Sequence, residues 1–146
     1  MSNRPRISGF TLVRNAVSLA YPFPECVLSI LPICDEVIIN CGDSHDSTRE
    51  LCSDLEKQYP NQIRVIDSVW ERSNQSGGYQ LKTQTDRALS ECKGDWCFYI
   101  QADEAVHEDD LPKIQSAMHQ ADLLQDVDGL LFDYLHFYGN FSFTMK

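Results

Sequence analysis

The sequence predicts an α/β fold, a mostly parallel β-sheet with helices on both faces, from three observations. Short apolar runs of strand length alternate with longer segments of helical periodicity. The apolar runs include β-branched stretches such as 37–39, which are typical of strands buried on both sides. Polar turn residues separate these blocks. The chain has 146 residues, a length that suits one domain, and we expect residues 1–146 to form it.

The elements follow each other in strict alternation. The predicted strands lie at 7–13, 36–40, 63–69, 96–100 and 129–135. The first helix begins near Pro24 and is disrupted at Pro32, and the others cover the segment after Ser47, 79–92 and 109–123. Ser47 and Glu50 have the spacing of a capping box at the start of the second helix. The third helix is expected to bury one apolar stripe: Leu81, Ala88, Leu89 and Cys92.

Charge and composition exclude several classes of function. The net charge of −10 argues against nucleic acid and against anionic lipid as partners, because both need clustered Lys and Arg. The polar N-terminus has no apolar segment behind it, and no apolar run reaches the length of a membrane-spanning helix, so we expect a soluble, cytoplasmic protein. The six cysteines show no C-x-x-C spacing and are expected to be reduced, buried thiols.

Polar residues stand at the carboxyl ends of three predicted strands, where ligands bind in open α/β sheets. The first strand ends in Val13, Arg14 and Asn15. The second leads into a loop that holds Asn40, Gly42, Asp43 and Asp46, and the fourth ends in Gln101, Ala102, Asp103 and Glu104. These three ends form the candidate site.

Each end has a functional and a structural interpretation. The carboxylates after the fourth strand can hold Mg²⁺ or Mn²⁺ against a diphosphate, or they can form a turn and cap a helix. The loop after the second strand can pair with a base or ribose, or it can cap the next helix. Arg14 can grip a phosphate with two hydrogen bonds, or it can be a solvated surface residue.

Together the three loops resemble glycosyltransferase family 2, inverting enzymes with the GT-A fold, and the resemblance covers almost the whole chain. Residues 12–15 stand where that family reads Pro-x-Tyr-Asn, and residues 40–48 stand where it reads Asp-x-Gly-Ser-x-Asp-x-Thr, with Asp43 as an extra residue. Gly77 and Gly78 precede the third helix as the family's Gly-Gly pair does. Residues 101–103 take the place of the Asp-x-Asp metal motif.

The resemblance implies transfer of a sugar from a nucleotide diphosphate donor to an acceptor, which is a glycan, a lipid or a protein. It implies donor contacts from Val13, Arg14, Asn15, Asn40, Gly42, Asp43, Asp46 and Gln101, and a divalent cation, Mn²⁺ or Mg²⁺, on Asp103. Two expected acids are replaced, by Asn40 and by Gln101. An inverting enzyme is also expected to carry an acceptor-activating base, which we assign to no residue.

Two alternatives stay open. The replaced acids favour a non-catalytic nucleotide-binding or protein-interaction module of the same fold. A phosphoacceptor receiver domain ranks lower, because the first strand is not followed by an acidic pair. The family that the chain resembles usually continues beyond this point, so we expect a fragment or a reduced natural version of the fold that binds donor but transfers sugar poorly or not at all. The apolar segment 137–143 is expected to fold back on the sheet or to form a homo-oligomer.

Overall fold

The part of the protein that the structure describes contains a four-stranded parallel sheet covered by four helices, followed by a separate two-stranded hairpin. A computed structural model describes residues 4–70, 78–124 and 126–145. The sheet consists of β1 (Ile7–Val13), β2 (Glu36–Gly42), β3 (Ile63–Ser68) and β4 (Trp96–Tyr99). Its strand order is β3-β2-β1-β4, with every pairing parallel. The central strands are buried along nearly their whole length, as the apolar runs predict.

Four helices connect and follow the strands. They are α1 (Phe23–Ile30), α2 (Thr48–Gln58), α3 (Tyr79–Ser90) and α4 (Leu111–Leu124), the last preceded by a 3-10 turn at Glu108–Asp110. Pro24 stands in the first turn of α1, where the missing N–H costs nothing. Among the described helices, none combines the length and the apolar character that crossing a membrane requires.

The helices lie on both faces of the sheet, because alternate strand residues point to opposite sides. The larger core joins Val37 and Ile39 of β2 to the buried residues of α1, α2 and α4. The smaller core joins Ile38 of β2 and Phe10 of β1 to Ala88 of α3. This arrangement confirms the predicted α/β class with helices on both faces.

The predicted stripe on α3 is wrong in part. Ala88 is buried as expected, but Leu81 and Leu89 are exposed and Gln84 is buried instead. Gln84 and Ala88 are one helical turn apart, so they share the face that meets the sheet. A polar side chain occupies this face because it has a polar partner in β2, described below.

The predicted fifth strand at 129–135 is also wrong. That segment has no strand structure, and β5 (His136–Tyr138) and β6 (Asn140–Met145) form an antiparallel hairpin after it. Gly139 turns the chain with a φ of 74°, a conformation that glycine adopts without strain. The turn at Gly139 therefore pairs residues 136–138 with residues 140–145. Within the segment predicted as a strand, Phe132 packs on Phe98 with ring centroids 5.5 Å apart.

Candidate functional site

The carboxyl ends of all four strands meet at one edge of the sheet, because the strands are parallel. β1 lies between β2 and β4, with Val13 opposite Cys41 on one side and Phe10 opposite Tyr99 on the other. The main-chain N–H of Ile100 donates to the carbonyl oxygen of Phe10 at 3.2 Å, which continues the contact past the end of β4. The fold therefore brings the three predicted polar segments to the same edge, with the β1 segment in the middle.

Arg14, Asp43 and Trp70 form a connected unit across the ends of β1, β2 and β3. The Arg14 Nε lies 3.2 Å from the Asp43 Oδ1 and 3.3 Å from its carbonyl oxygen. The main-chain N–H of Trp70 donates to the same Oδ1 at 3.0 Å. The Arg14 guanidinium carbon lies 5.8 Å from the Trp70 ring centroid, within the range of a cation–π contact.

This unit places one cationic side chain in a fixed position. The hydrogen bond from the Trp70 N–H, together with the nearby Arg14 charge, lowers the pKa of Asp43, which stays ionised and holds Arg14. Within residues 4–70, 78–124 and 126–145, the side-chain hydrogen bonds of Arg14 use only its Nε, so its terminal NH groups have no partner there. Trp70 is not among the residues predicted for the site, although its position directly after the predicted strand 63–69 was a signal for it.

Gly42 is required by the same unit. A Cβ at Gly42 would lie 2.6 Å from the Nε1 of Trp70, closer than real Cβ atoms approach other heavy atoms. The indole therefore fills the space that a side chain at position 42 would take. Gly42 contributes to the site because its missing side chain leaves room for the Trp70 indole, and not because it turns the chain.

Asn15 and Asp46 hold two of the site loops together. Asn15 adopts a positive φ of 54°, and its main-chain N–H donates to the Ser44 Oγ at 3.0 Å. Its Oδ1 accepts the N–H of His45 at 2.8 Å. Asp46 accepts the N–H and the hydroxyl of Ser18 at 2.8 and 2.9 Å. The loops after β1 and β2 are thus joined by side chains from both.

Asp46 also replaces the predicted capping box. Ser47 occupies the N-cap position of α2 without a side-chain hydrogen bond to the helix, and the Asp46 Oδ1 accepts the N–H of Thr48 at 3.0 Å instead. Desolvation acts against ionisation of Asp46, yet the hydrogen bonds from Thr48 and Ser18 outweigh it and hold its pKa far below the ordinary value. Both carboxylate oxygens are therefore engaged within the protein, and donor contact by Asp46 stays a prediction.

Asn40 lies below the edge instead of on its surface. Its side chain is completely buried, and its Nδ2 donates to the main-chain oxygen and the Oε1 of Gln84 at 2.9 and 3.0 Å. A carboxylate here would face two acceptor oxygens with no proton to share, which explains the amide at this position. Direct donor contact by Asn40 stays a prediction, while its observed contact ties α3 to β2.

The segment after β4 forms a tight turn with Asp103 at its outer corner. The N–H of Glu104 donates to the carbonyl oxygen of Gln101 at 3.0 Å, and the N–H of Gln101 donates to the Glu104 Oε2 at 2.9 Å. Ala102 is buried in the core between them, whereas Gln101 and Asp103 are exposed. The turn therefore directs its carboxylate at position 103 to solvent beside the other strand ends.

The carboxylate of Asp103 is exposed, and its predicted role as a ligand to a divalent cation stays a prediction. In the described residues there is no group of three His, Cys, Asp or Glu side chains that could enclose a metal by itself. Mg²⁺ in nucleotide sites commonly uses one or two carboxylates, with phosphate oxygens and water as its other ligands. A single exposed carboxylate at the outer corner of a braced turn meets that need.

Two solved structures share this fold over most of the chain. A mannosyltransferase from Pyrobaculum calidifontis, in complex with GDP-Man and Mn²⁺, superposes with a TM-score of 0.57 at 19% identity, over 83% of this chain and 34% of that one. TarS from S. aureus, residues 1–349, superposes with a TM-score of 0.56 at 16% identity, over 80% of this chain and 33% of that one.

TarS residues 1–349 have also been solved in complex with UDP-GlcNAc, with a TM-score of 0.55 at 18% identity, over 80% of this chain and 32% of that one. The chain spans about a third of the length of these structures. A search of curated proteins finds no match.

The family described as Glycosyl transferase family 2 matches residues 21–129, about three quarters of the chain. The matched region runs from the loop before α1 through β4 and α4, and it contains the predicted loops after β2 and β4. Together with the parallel sheet and the GT-A structures that it superposes on, this match assigns the protein. The chain belongs to glycosyltransferase family 2.

Proposed function

We propose that this chain binds the nucleoside diphosphate of a sugar donor, as the donor-binding part of an inverting glycosyltransferase. The observation that carries the proposal is the meeting of a fixed arginine and an exposed carboxylate at one sheet edge. Arg14 stands at the end of β1, and Asp103 stands after the adjacent strand β4. The complexes of structurally similar enzymes with GDP-Man and with UDP-GlcNAc support a nucleotide sugar as ligand.

The residues of this edge have distinct roles in the proposal. The free NH groups of Arg14 bind phosphate oxygens, since a guanidinium presents donors in the geometry that a phosphate needs. Asp43 and Trp70 keep Arg14 in place, and the exposed side chain of Gln101 hydrogen-bonds the ribose or a phosphate. Asp103 holds Mn²⁺ or Mg²⁺, which neutralises charge on the diphosphate leaving group when it is bound. The acceptor in this proposal is a glycan, a lipid or a protein.

Calorimetric titration with UDP and GDP, with and without Mn²⁺, tests the binding function. We expect at least one nucleotide to bind, and Mn²⁺ to tighten binding about ten-fold or more. Asp103→Asn should remove the gain from Mn²⁺. Asp122→Asn is the matched control, because Asp122 is an exposed carboxylate on α4 and should leave the gain unchanged. Absence of nucleotide binding in the parent, or a Mn²⁺ gain that survives in Asp103→Asn, would contradict the proposal.

A non-catalytic binding module is the second candidate, and one observation favours it. Asn40, which replaces a family acid, is buried against Gln84 and is not exposed at the edge. Incubation of the protein with UDP-GlcNAc or GDP-mannose separates the candidates. Release of nucleoside diphosphate that depends on an added acceptor supports a transferase. Tight nucleotide binding without any turnover supports a binding module.

We also propose that the hairpin β5–β6 mediates association of two copies. Its aromatic side chains are exposed, with Phe141 87% and Phe143 63% accessible. Apart from His136, residues 134–145 carry no side chain that is charged near neutral pH, so two hairpins can meet without the repulsion that a net charge of −10 produces elsewhere. Light scattering should give a dimer mass that Phe143→Ser abolishes, while Leu123→Ser, an exposed leucine on α4, keeps the dimer. A monomeric parent would contradict this proposal.

A further inference from the structure

Two side chains of helix α1 form hydrogen bonds with the main chain on either side of the turn that carries Asp103. The Cys26 Sγ donates to the carbonyl oxygen of Gln101 at 3.1 Å, at the beginning of the turn. The Ser29 Oγ accepts the N–H of Val106 at 3.1 Å, just after the turn. Cys26 is completely buried and Ser29 partly buried, so both contacts lie at least partly away from solvent.

Ser29 and Cys26 also belong to one hydrogen-bonded unit. The Ser29 hydroxyl donates to the carbonyl oxygen of Cys26 at 2.7 Å while it accepts from Val106. The carbonyl oxygen of Gln101 accepts hydrogen bonds from both the thiol of Cys26 and the N–H of Glu104. Side chains of α1 therefore hold the main chain on both sides of Asp103, one of them completely buried and the other partly buried.

A flexible turn would weaken metal binding at a site with a single protein carboxylate. Each conformation that Asp103 must give up on binding costs free energy, and a turn that is already ordered avoids that cost. The larger core binds α1 to the sheet through Val27 and Ile30, so the helix is a rigid support. Loops that place ligands on such supports hold their geometry better than free loops do.

We propose that Cys26 and Ser29 are positioning residues, which order the turn at 101–104 so that Asp103 can hold a divalent cation on a nucleoside diphosphate. This inference rests on the proposed donor-binding function. It predicts that the two side chains act on the metal-dependent part of binding, although neither contacts metal or nucleotide.

The first test compares Cys26→Ala, which removes the donor, with Cys26→Ser, which keeps a hydroxyl donor in nearly the same place. Cys34→Ala is the matched control, since Cys34 is also buried but lies just before β2, at the amino edge of the sheet. UDP and GDP are titrated with and without Mn²⁺, and melting temperatures show that each variant is folded. We expect Cys26→Ala to reduce the Mn²⁺ gain about five-fold with metal-free affinity unchanged, and Cys26→Ser to restore most of it.

A merely structural role gives a different result. It lowers the melting temperature of Cys26→Ala and Cys34→Ala alike and leaves the ratio of affinities with and without Mn²⁺ unchanged, and this outcome would overturn the inference. Ser29→Ala should reduce the Mn²⁺ gain as Cys26→Ala does. If Mn²⁺ does not change the affinity of the parent protein for UDP or GDP, the metal part of the proposed function is overturned, and this inference with it.

Amide hydrogen exchange tests the same inference without any ligand. The N–H groups of Gln101, Glu104 and Val106 are hydrogen-bonded in the parent and should exchange slowly. Cys26→Ala should raise the exchange rate of peptides that cover 101–106 by several-fold and leave those from β2 unchanged. Unchanged exchange at 101–106 would show that α1 does not order the turn, whatever the nucleotide titrations give.

Discussion

The side-chain amide of Asn40 donates to two oxygens of Gln84, the main-chain carbonyl oxygen at 2.9 Å and the Oε1 at 3.0 Å. This contact crosses from the middle of the sheet to the buried face of α3. It is polar on both sides within an otherwise apolar layer of Phe10, Ile38 and Ala88. A buried amide with two acceptors thus helps fix the position of the helix that follows the loop after β3.

The first prediction concerns the charge state at position 40. Asn40→Asp places a buried carboxylate against two acceptor oxygens, which should destabilise the fold by about 2 to 4 kcal/mol at neutral pH. Burial raises the pKa of such a carboxyl in the folded state, so the loss should be small below about pH 4 and should grow as the pH rises. Urea unfolding at several pH values measures it. Asn61→Asp, at an exposed turn, should show almost no change.

The second prediction concerns Asp46. Asp46→Asn should reduce the free energy of unfolding by about 1 kcal/mol or more at pH 7, because an amide keeps only one of the two acceptor oxygens that bind Thr48 and Ser18. The folded pKa of Asp46 is depressed, so its contribution is complete above the unfolded pKa of about 3.9 and is lost as the pH falls below it. The stability difference between parent and variant should therefore shrink only in acid. A difference that is constant from pH 7 to pH 2 would refute this assignment, and Asp54→Asn on the exposed surface of α2 is the control.

The third prediction concerns Arg14. Arg14→Ala should weaken binding of UDP or GDP about ten-fold, whether or not Mn²⁺ is present, because a phosphate loses a charged partner. Arg14→Lys should recover only part of the affinity, since an ammonium group cannot reproduce the paired geometry. Arg64→Ala, which breaks an ion pair with Glu91 near the start of β3, should leave affinity unchanged. Equal affinities for parent and Arg14→Ala would exclude a phosphate contact by Arg14.

The fourth prediction concerns the packing of Trp70 on Gly42. Gly42→Ala should cost about 1 to 3 kcal/mol of stability, because the new methyl group must displace the indole. The displacement should also alter tryptophan fluorescence and weaken nucleotide binding, since Trp70 helps hold Asp43 and Arg14. At Gly129 a Cβ would meet no atom within 4 Å, so Gly129→Ala should change neither property. An unaltered spectrum in Gly42→Ala would count against the close contact.

The fifth prediction concerns the cysteines, which are all unbridged in the structure as expected from their spacing. Four of them are buried as predicted, but the prediction of burial is wrong for Cys97, which is exposed on the edge strand β4, and in part for Cys92, which is only partly buried. Burial raises the pKa of Cys26, with the charges of Glu104 and Asp103 adding to it, and burial also raises the pKa of Cys34, both to about 12. A chromogenic disulfide reagent should therefore label one thiol rapidly in the native protein and six in denaturant. A rapid native reaction of four or more thiols would contradict the structure.

Much of the fold could be predicted from the sequence alone. The β-branched run at 37–39 and the apolar run in β1 become the two central strands, because a strand buried on both faces needs continuous apolar residues. Pro24 and Pro32 correctly bound α1, since proline suits a first turn and disrupts a helix interior. The meeting of the three polar segments also followed from sequence, because parallel strands end at one edge.

Other features required the tertiary structure. The segment 129–135 has the composition of a strand, but a strand forms only beside a partner strand. The turn at Gly139 brings β6 beside β5, so the pairing forms after this segment. Leu81 and Leu89 have the right spacing for a buried face, but the orientation of α3 is set by the contact of Gln84 with Asn40. Local periodicity cannot reveal a partner 44 residues away in the chain.

The same division holds for the candidate site. Sequence alone determined which loops carry its polar residues, because the order of strands and turns places them there. Only the tertiary structure decided which side chains remain available for a ligand. The oxygens of Asp46 and the amide of Asn40 are engaged by other parts of the protein. Arg14 uses only its Nε within the described residues, and Asp103 is exposed. The physical reason is that a buried polar group forms hydrogen bonds with whichever partner the folded chain places beside it, and that partner is seldom a neighbour in sequence.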